Sequence, residues 1–156
     1  MGKISESSSE AVYNKALRFA TLRPRSEQEI SLWFKRKNIS TIMSSQVFNR
    51  LKNLGLVNDK AFSEWWIDQR VTFRPKGRKA LFFELRQKGV ARDTIESVLK
   101  NVEVPSETAL AAELVAKKLS RFKDLPEEER KKKLVGFLAR RGFSWEVIKK
   151  AVDVGN

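Results

Sequence analysis

The sequence predicts an all-α protein built from three tandem three-helix repeats that form an elongated, curved arc. Three observations lead there. Glycine and proline are sparse, seven and four among 156 residues, which favours long helices over a turn-rich β architecture. Apolar residues recur at helical spacing in one segment after another. One helix-ending pattern also occurs three times at similar intervals, which is the signature of an internal repeat.

That pattern reads Ile30-Ser31-Leu32-Trp33-Phe34-Lys35-Arg36-Lys37-Asn38-Ile39 in its first copy. The second is Leu81-Phe82-Phe83-Glu84-Leu85-Arg86-Gln87-Lys88-Gly89-Val90, and the third Leu134-Val135-Gly136-Phe137-Leu138-Ala139-Arg140-Arg141-Gly142-Phe143. Large side chains at i, i+3 and i+4 make one stripe on a helix. The cation that follows suits the negative end of the helix dipole. Asn38, Gly89 or Gly142 then supplies a left-handed residue, and the next apolar side chain folds back over the last turn.

Taken in order, residues 1–8 are rich in Ser and Glu without an apolar core, so they are expected to be a disordered tail and not a signal peptide. The first repeat, 9–57, begins with a helix from about Ser9 to Leu22 carrying Val12, Ala16 and Phe19. After Pro24, Ser26-Glu27-Gln28-Glu29 is a capping box that opens the second helix. In the third helix Val47 and Leu51 lie three residues later than their counterparts, so a longer loop is expected, with Ser44 or Ser45 as N-cap. The second repeat, 58–104, has a leading helix from about Lys60 to Thr72 with Phe62, Trp65 and Trp66, then the helix ending at Gly89, then one with Ile95 and Leu99. The third, 105–156, has a helix from about Ser106 to Leu119 with Leu110, Leu114 and Leu119. The helix ending at Gly142 follows, and last comes one capped by Ser144 with Ile148 and Val152. A unit of about 50 residues has a marginal core, so neighbours should dock on one another.

The chain has neither cysteine nor histidine. That excludes disulfides and cysteine-based zinc sites, and removes the usual general base and commonest metal ligand. Glu64 and Asp68 sit four apart on one helix, but without further ligands they make no convincing metal site. No enzymatic activity, cofactor or metal is expected. No apolar stretch approaches the roughly 20 residues that span a bilayer, so the expectation is a cytoplasmic protein with no membrane partner. Thirty-two Lys and Arg against 19 Asp and Glu give a formal net charge of +13, which favours a polyanionic partner.

The densest cationic stretch holds Arg70, Arg74, Lys76, Arg78, Lys79, Arg86 and Lys88 against Glu84 alone. Pro75 and Gly77 place several of these on a connection into a helix, where backbone N–H groups also favour anions. The stretch reads as a grip for phosphates or carboxylates, or else as a solvated face. Arg23, Arg25, Lys35, Arg36 and Lys37 form a second candidate patch, and Arg140, Arg141, Lys149 and Lys150 a third. Arg130-Lys131-Lys132-Lys133 follows Glu127-Glu128-Glu129, so these charges are expected to satisfy one another along a helix.

Glu84 takes the stripe position that Trp33 and Phe137 hold in the other repeats. A carboxylate there is costly if buried alone, so it is expected either to pair with a cation, Arg70 first, or to stand exposed at a wider gap. Trp33 and Trp66 lie on apolar stripes and are expected in the core. Phe82 and Phe83 do not both fit the face of Leu81 and Leu85, so one of them is a candidate to meet a partner.

The order of several motifs resembles the RecX family of recombination regulators. They are Ala16-Leu17; Arg23-Pro24-Arg25-Ser26-Glu27-Gln28-Glu29-Ile30; Leu51-Lys52-Asn53-Leu54-Gly55-Leu56-Val57-Asn58-Asp59-Lys60-Ala61-Phe62; and Trp66-Ile67-Asp68-Gln69-Arg70. Lys76-Gly77-Arg78, Leu81, Glu84-Leu85-Arg86-Gln87-Lys88-Gly89-Val90 and Phe137-Leu138-Ala139-Arg140-Arg141-Gly142-Phe143-Ser144 complete the set, which runs from about Ala11 to Val152. Asn38 departs from the usual glycine, and Phe82 and Phe83 from a tendency to polar residues. The resemblance implies three trihelical repeats. It also implies a negative regulator of the RecA recombinase that binds the RecA filament on single-stranded DNA, in its helical groove, and suppresses ATPase, strand exchange or extension. Bare DNA, duplex included, would be bound weakly, and an arc of repeats needs no dimer, so a monomer is expected. The alternative is an autonomous nucleic-acid-binding helical module, since a trihelical unit can act as a helix-turn-helix reader.

Overall fold

The computed structural model describes residues 2–101 and 106–154, with side chains from 8 to 101 and from 106 to 153. Among the described residues the chain forms nine helices and no strand. These are α1 (Gly2–Leu22), α2 (Glu27–Arg36), α3 (Thr41–Asn53), α4 (Asp59–Phe73), α5 (Arg78–Gln87), α6 (Arg92–Asn101), α7 (Glu107–Phe122), α8 (Glu127–Arg140) and α9 (Trp145–Val154). The chain divides into two compact units. One runs up to Trp65 and includes Leu85–Val98; the other holds Trp66–Glu84 and the chain from Leu99 onward.

In the first unit α1 buries Tyr13, Ala16 and Ala20, spaced so that they share one face. Ile30, Trp33 and Phe34 of α2 and Val47 and Leu51 of α3 close the core with Val57. Trp33 lies in this core, its ring stacked 5.7 Å from that of Phe19. Helix α1 starts at Gly2, ahead of the expected Ser9, so residues 2–8 of the anticipated tail fall on its first turns; Met1 lies outside the described residues. Once a helix is nucleated, each added residue brings its own hydrogen bond, and composition alone does not register that extension.

Ser26 caps α2 with the full reciprocal box: its hydroxyl accepts from Glu29 N–H at 3.2 Å, and Glu29 Oε1 accepts from Ser26 N–H at 3.3 Å. The cap of α3 is Ser40, which accepts from Met43 N–H at 3.3 Å, and not Ser44 or Ser45. The loop after Asn38 is therefore no longer than those after Gly89 and Gly142. The three extra residues lengthen α3, which has 13 residues against 10 in α6 and α9. Three residues come close to one turn, so the apolar face survives the insertion.

In the second unit α7 buries Leu110, Ala111, Leu114 and Val115, α8 buries Leu134 and Leu138, and α9 buries Ile148, Ala151 and Val152. Ser106 caps α7, accepting from Ala109 N–H at 3.1 Å. Ser144 caps α9, accepting from Val147 N–H at 3.4 Å. The buried face of α4 holds Phe62 in the first unit and Ile67 in the second, while Trp65 and Trp66 are half-buried. The expectation of a core Trp66 is thus corrected: the stripe runs one residue to its side, because helical spacing alone fits both rows.

Asn38, Gly89 and Gly142 all take positive φ, at 53°, 83° and 84°. Each stop closes with the same bond from the following apolar residue to the carbonyl five back, as in Val90 N–H to Leu85 O at 3.1 Å. Gly55 makes a fourth such stop after α3, with Leu56 N–H to Leu51 O at 3.0 Å. Two of these turns pack on the start of an earlier helix. A Cβ on Gly89 would lie 2.7 Å from Gln28 Cβ in α2, and one on Gly142 would lie 2.3 Å from Ala80 Cβ in α5. At the same two starts an acid from the next leading helix accepts from the first helical N–H. Asp59 Oδ1 takes Glu27 N–H at 2.8 Å, and Glu107 Oε1 takes Arg78 N–H at 2.5 Å.

Candidate anion-binding surface

The most cationic stretch of the sequence divides, in the second unit, into side chains that hold the fold and side chains left for a partner. Glu84, on α5, has a side chain only 14% exposed. It accepts from Trp66 Nε1 at 2.8 Å and Arg70 Nε at 3.0 Å on α4, and from Lys76 Nζ in the connection. The Arg70 guanidinium also lies over the Trp66 ring, 4.6 Å from its centre. Burial pushes the Glu84 carboxyl up, but the Lys76 and Trp66 hydrogen bonds and the neighbouring positive charges outweigh it and hold it below its ordinary value. Arg70 was the expected partner; Lys76 was expected to face an anion outside the fold and instead serves the same carboxylate.

The N–H groups at the start of α5 differ in the same way. The Arg78 amide, which the sequence offers to a phosphate, is occupied by Glu107. The connection is fixed from the other side as well: Gly77 N–H donates to Arg141 O at 2.8 Å, and Arg141 Nη1 donates to Pro75 O at 3.4 Å. Gly77 has no room for a side chain, since a Cβ there would meet Gly142 O at 2.3 Å. What stays exposed and makes no ion pair among the described residues is Arg74 and the side chains of Arg78 and Lys79. Arg86 is exposed with Nη1 on Val90 O at 3.1 Å, and Lys88 is half-buried. Arg86 and Lys88 fall in the first unit and the other five cations in the second. Phe83 is 62% exposed and Phe82 half-buried, so Phe83 is the aromatic left facing outward.

The second patch divides likewise. Arg23 pairs with Glu29 at 2.5 Å and lies over Trp65, 5.4 Å from its ring centre. Arg25 donates from Nε to Phe19 O at 3.1 Å and stacks 3.9 Å over the Phe19 ring, where burial and Arg23 lower its pKa. Both arginines thus tie the α1–α2 connection to the core. Lys35, Arg36 and Lys37, at the end of α2, are exposed. In the third patch Arg141 is half-buried over Phe137, its pKa lowered by burial and by Arg74. Arg140, Lys149 and Lys150 are exposed.

The expected mutual satisfaction of residues 127–133 is seen in Lys131 with Glu127 at 3.3 Å; Lys132 and Lys133 form no ion pair among the described residues. The roles of Asp59 and Glu107 were not foreseen. The available signal was an acid directly after a capping Asn58 or Ser106 at the head of a leading helix. Glu64 and Asp68 stand on the exposed face of α4, and among the described residues no three acids gather as metal ligands.

Repeated stops docked on earlier helix starts, together with cations left unpaired, define a class: an all-α tandem-repeat protein with a cationic surface. Residues 58–99 match the family described as RecX, second three-helix domain, and residues 106–152 that described as RecX, third three-helix domain. Regulatory protein RecX of Thermobifida fusca is 36% identical over 128 residues, covering 82% of this chain and 69% of its own. That of Mycolicibacterium smegmatis is 35% identical over 149 residues, covering 93% and 79%. The crystal structure of RecX from Lactobacillus salivarius shares the fold with a TM-score of 0.80 at 22% identity, covering 96% of this chain and 97% of that one. The chain belongs to the RecX family of regulatory proteins.

Proposed function

We propose that this chain is a non-enzymatic negative regulator of the RecA recombinase, acting as a cytoplasmic monomer. It binds the RecA filament on single-stranded DNA, lies in the helical groove, and suppresses ATP hydrolysis, strand exchange or extension. The observation that carries the reading is the division of charge on a RecX-family fold. Arg70 and Lys76 hold Glu84, whereas Arg74, Arg78 and Lys79 stand exposed without a carboxylate. Unpaired cations on a packed scaffold suit an anionic partner better than self-stabilisation, because exposed charges add little to folding.

The test is DNA-dependent ATP hydrolysis by the cognate RecA, titrated with this protein and with the triple variant Arg74→Ala, Arg78→Ala, Lys79→Ala. The native chain should suppress hydrolysis below one molecule per RecA, and the triple variant should need about tenfold more, the effect of losing about 1.4 kcal/mol of binding. Lys76→Ala should instead lower thermal stability. Unchanged hydrolysis together with tight binding of bare duplex would reject the regulator and favour an autonomous nucleic-acid-binding module.

A further inference from the structure

In the second unit a groove of about 540 Å³ runs between α7 and α8. Lys118 of α7 and Lys132, Lys133 and Arg140 of α8 line it against one acid, Glu129. Adjacent lysines on both helices are paired, Lys117 with Glu113 and Lys131 with Glu127. The four that face the groove form no ion pair among the described residues. Lys118 Nζ stands 4.7 Å from the centre of the Phe137 ring and Lys133 Nζ 5.9 Å from that of Phe122. An ammonium placed over a ring keeps a set direction, and its N–H donors remain available to an acceptor outside.

Gly136 is the second observation. It lies in the middle of α8, where glycine is the poorest residue after proline, and no demand of the fold explains it. Its φ is not positive, and a Cβ there would meet only the mobile tip of Arg140, at 3.3 Å. Gly77, Gly89 and Gly142 differ, since a Cβ on any of them would strike a neighbour well inside 3 Å. Lys132, Gly136 and Arg140 follow at one-turn intervals on α8, and the Arg140 guanidinium reaches back beside Gly136, where a larger residue would crowd it.

We propose that this groove binds the sugar–phosphate backbone of a single-stranded nucleic acid. Lys118, Lys132, Lys133 and Arg140 hold the phosphates, and Gly136 lets the strand approach closely. The proposal rests on the reading of the chain as a partner of a filament that contains DNA. A row of cations with one acid matches a regularly charged polymer, and cationic grooves that follow the backbone are how single strands are held. An acidic protein face would be expected to add a buried apolar centre, whereas both rings here are already covered by lysines.

The test is fluorescence anisotropy of a labelled oligothymidylate with the full chain, over a series of salt concentrations. Lys132→Ala with Arg140→Ala should weaken binding about tenfold at low salt and flatten the salt slope by about 1.4, the share of two phosphates on a single strand. Gly136→Leu fills the floor while improving helix propensity, so binding should weaken several-fold with the melting temperature unchanged or raised. Binding as tight as the parent's in both variants would overturn the proposal, as would a parent that binds no strand. Variants that keep strand binding but lose their effect on RecA hydrolysis would overturn it too, assigning the groove to an acidic protein face. The ATPase titration of the native chain stands apart from all these outcomes.

Discussion

Replacing Glu84 by Gln keeps the shape of the polar cluster and leaves an amide oxygen for the Trp66 indole, but it removes the counter-charge of two cations. The side chains of Glu84, Arg70 and Lys76 are 14%, 29% and 20% exposed, which places them between the surface and the interior. Exposed pairs contribute about 0–1 kcal/mol, and breaking a buried pair costs about 3–5 kcal/mol. Two contacts at intermediate exposure give an expected loss of about 1.5–3 kcal/mol. For a chain of this size the melting temperature should fall by about 3–12 °C. The decisive assay is a double-mutant cycle of Glu84→Gln and Lys76→Ala, read by urea unfolding. Lys76→Ala should cost about 1 kcal/mol less when Glu84→Gln is already in place. An equal cost in both backgrounds would refute the view that the Lys76–Glu84 pair fixes the connection onto α5.

The pH dependence follows from the same site. The folded carboxyl binds its proton less readily than the unfolded one, whose value is near 4.5. Its stabilisation is complete above that pH and is lost as the pH falls through the lower folded value; the gap in stability between parent and Glu84→Gln should close over that acid window. Gly142→Ala and Gly55→Ala both place a side chain at positive φ, costing about 1–2 kcal/mol. Only Gly142→Ala also overlaps Ala80, whereas nothing lies within 4 Å at Gly55, so thermal melts should show a further loss of about 1–3 kcal/mol. Asp59→Ala and Glu107→Ala should each cost about 0.5–2 kcal/mol, with faster hydrogen exchange at the Glu27 and Arg78 amides respectively.

What was legible in the sequence is what local chemistry determines. The stops at Asn38, Gly89 and Gly142 depend on bonds across five residues, and the Ser26 box on bonds across three, so both could be read before any packing was known. The same chemistry makes Leu54-Gly55-Leu56 readable as a stop. The α3 loop was misjudged because spacing between apolar pairs does not say whether extra residues join the helix or the loop. Trp66 and Ile67 are neighbours on adjacent rows of one helix, and only packing chooses between them. The site was less legible still. Whether Lys76 faces solvent depends on Glu84 eight residues away, and whether the Arg78 amide is open depends on Glu107, 29 residues away. Counting cations along the chain cannot separate those that hold the fold from those that are free.

The docking of the stops at Gly89 and Gly142 on earlier helix starts also sets an order in time. Arg141 and Pro75 lie 66 positions apart, and Gly89 meets Gln28 across about 60 residues, whereas the helices themselves need only near neighbours. At a synthesis rate of about 5–20 residues per second, the start of α2 waits several seconds before Gly89 is made. The seat is built before its occupant emerges. Assembly of the repeats can therefore follow the direction of translation, each finished helix start receiving the turn that arrives later.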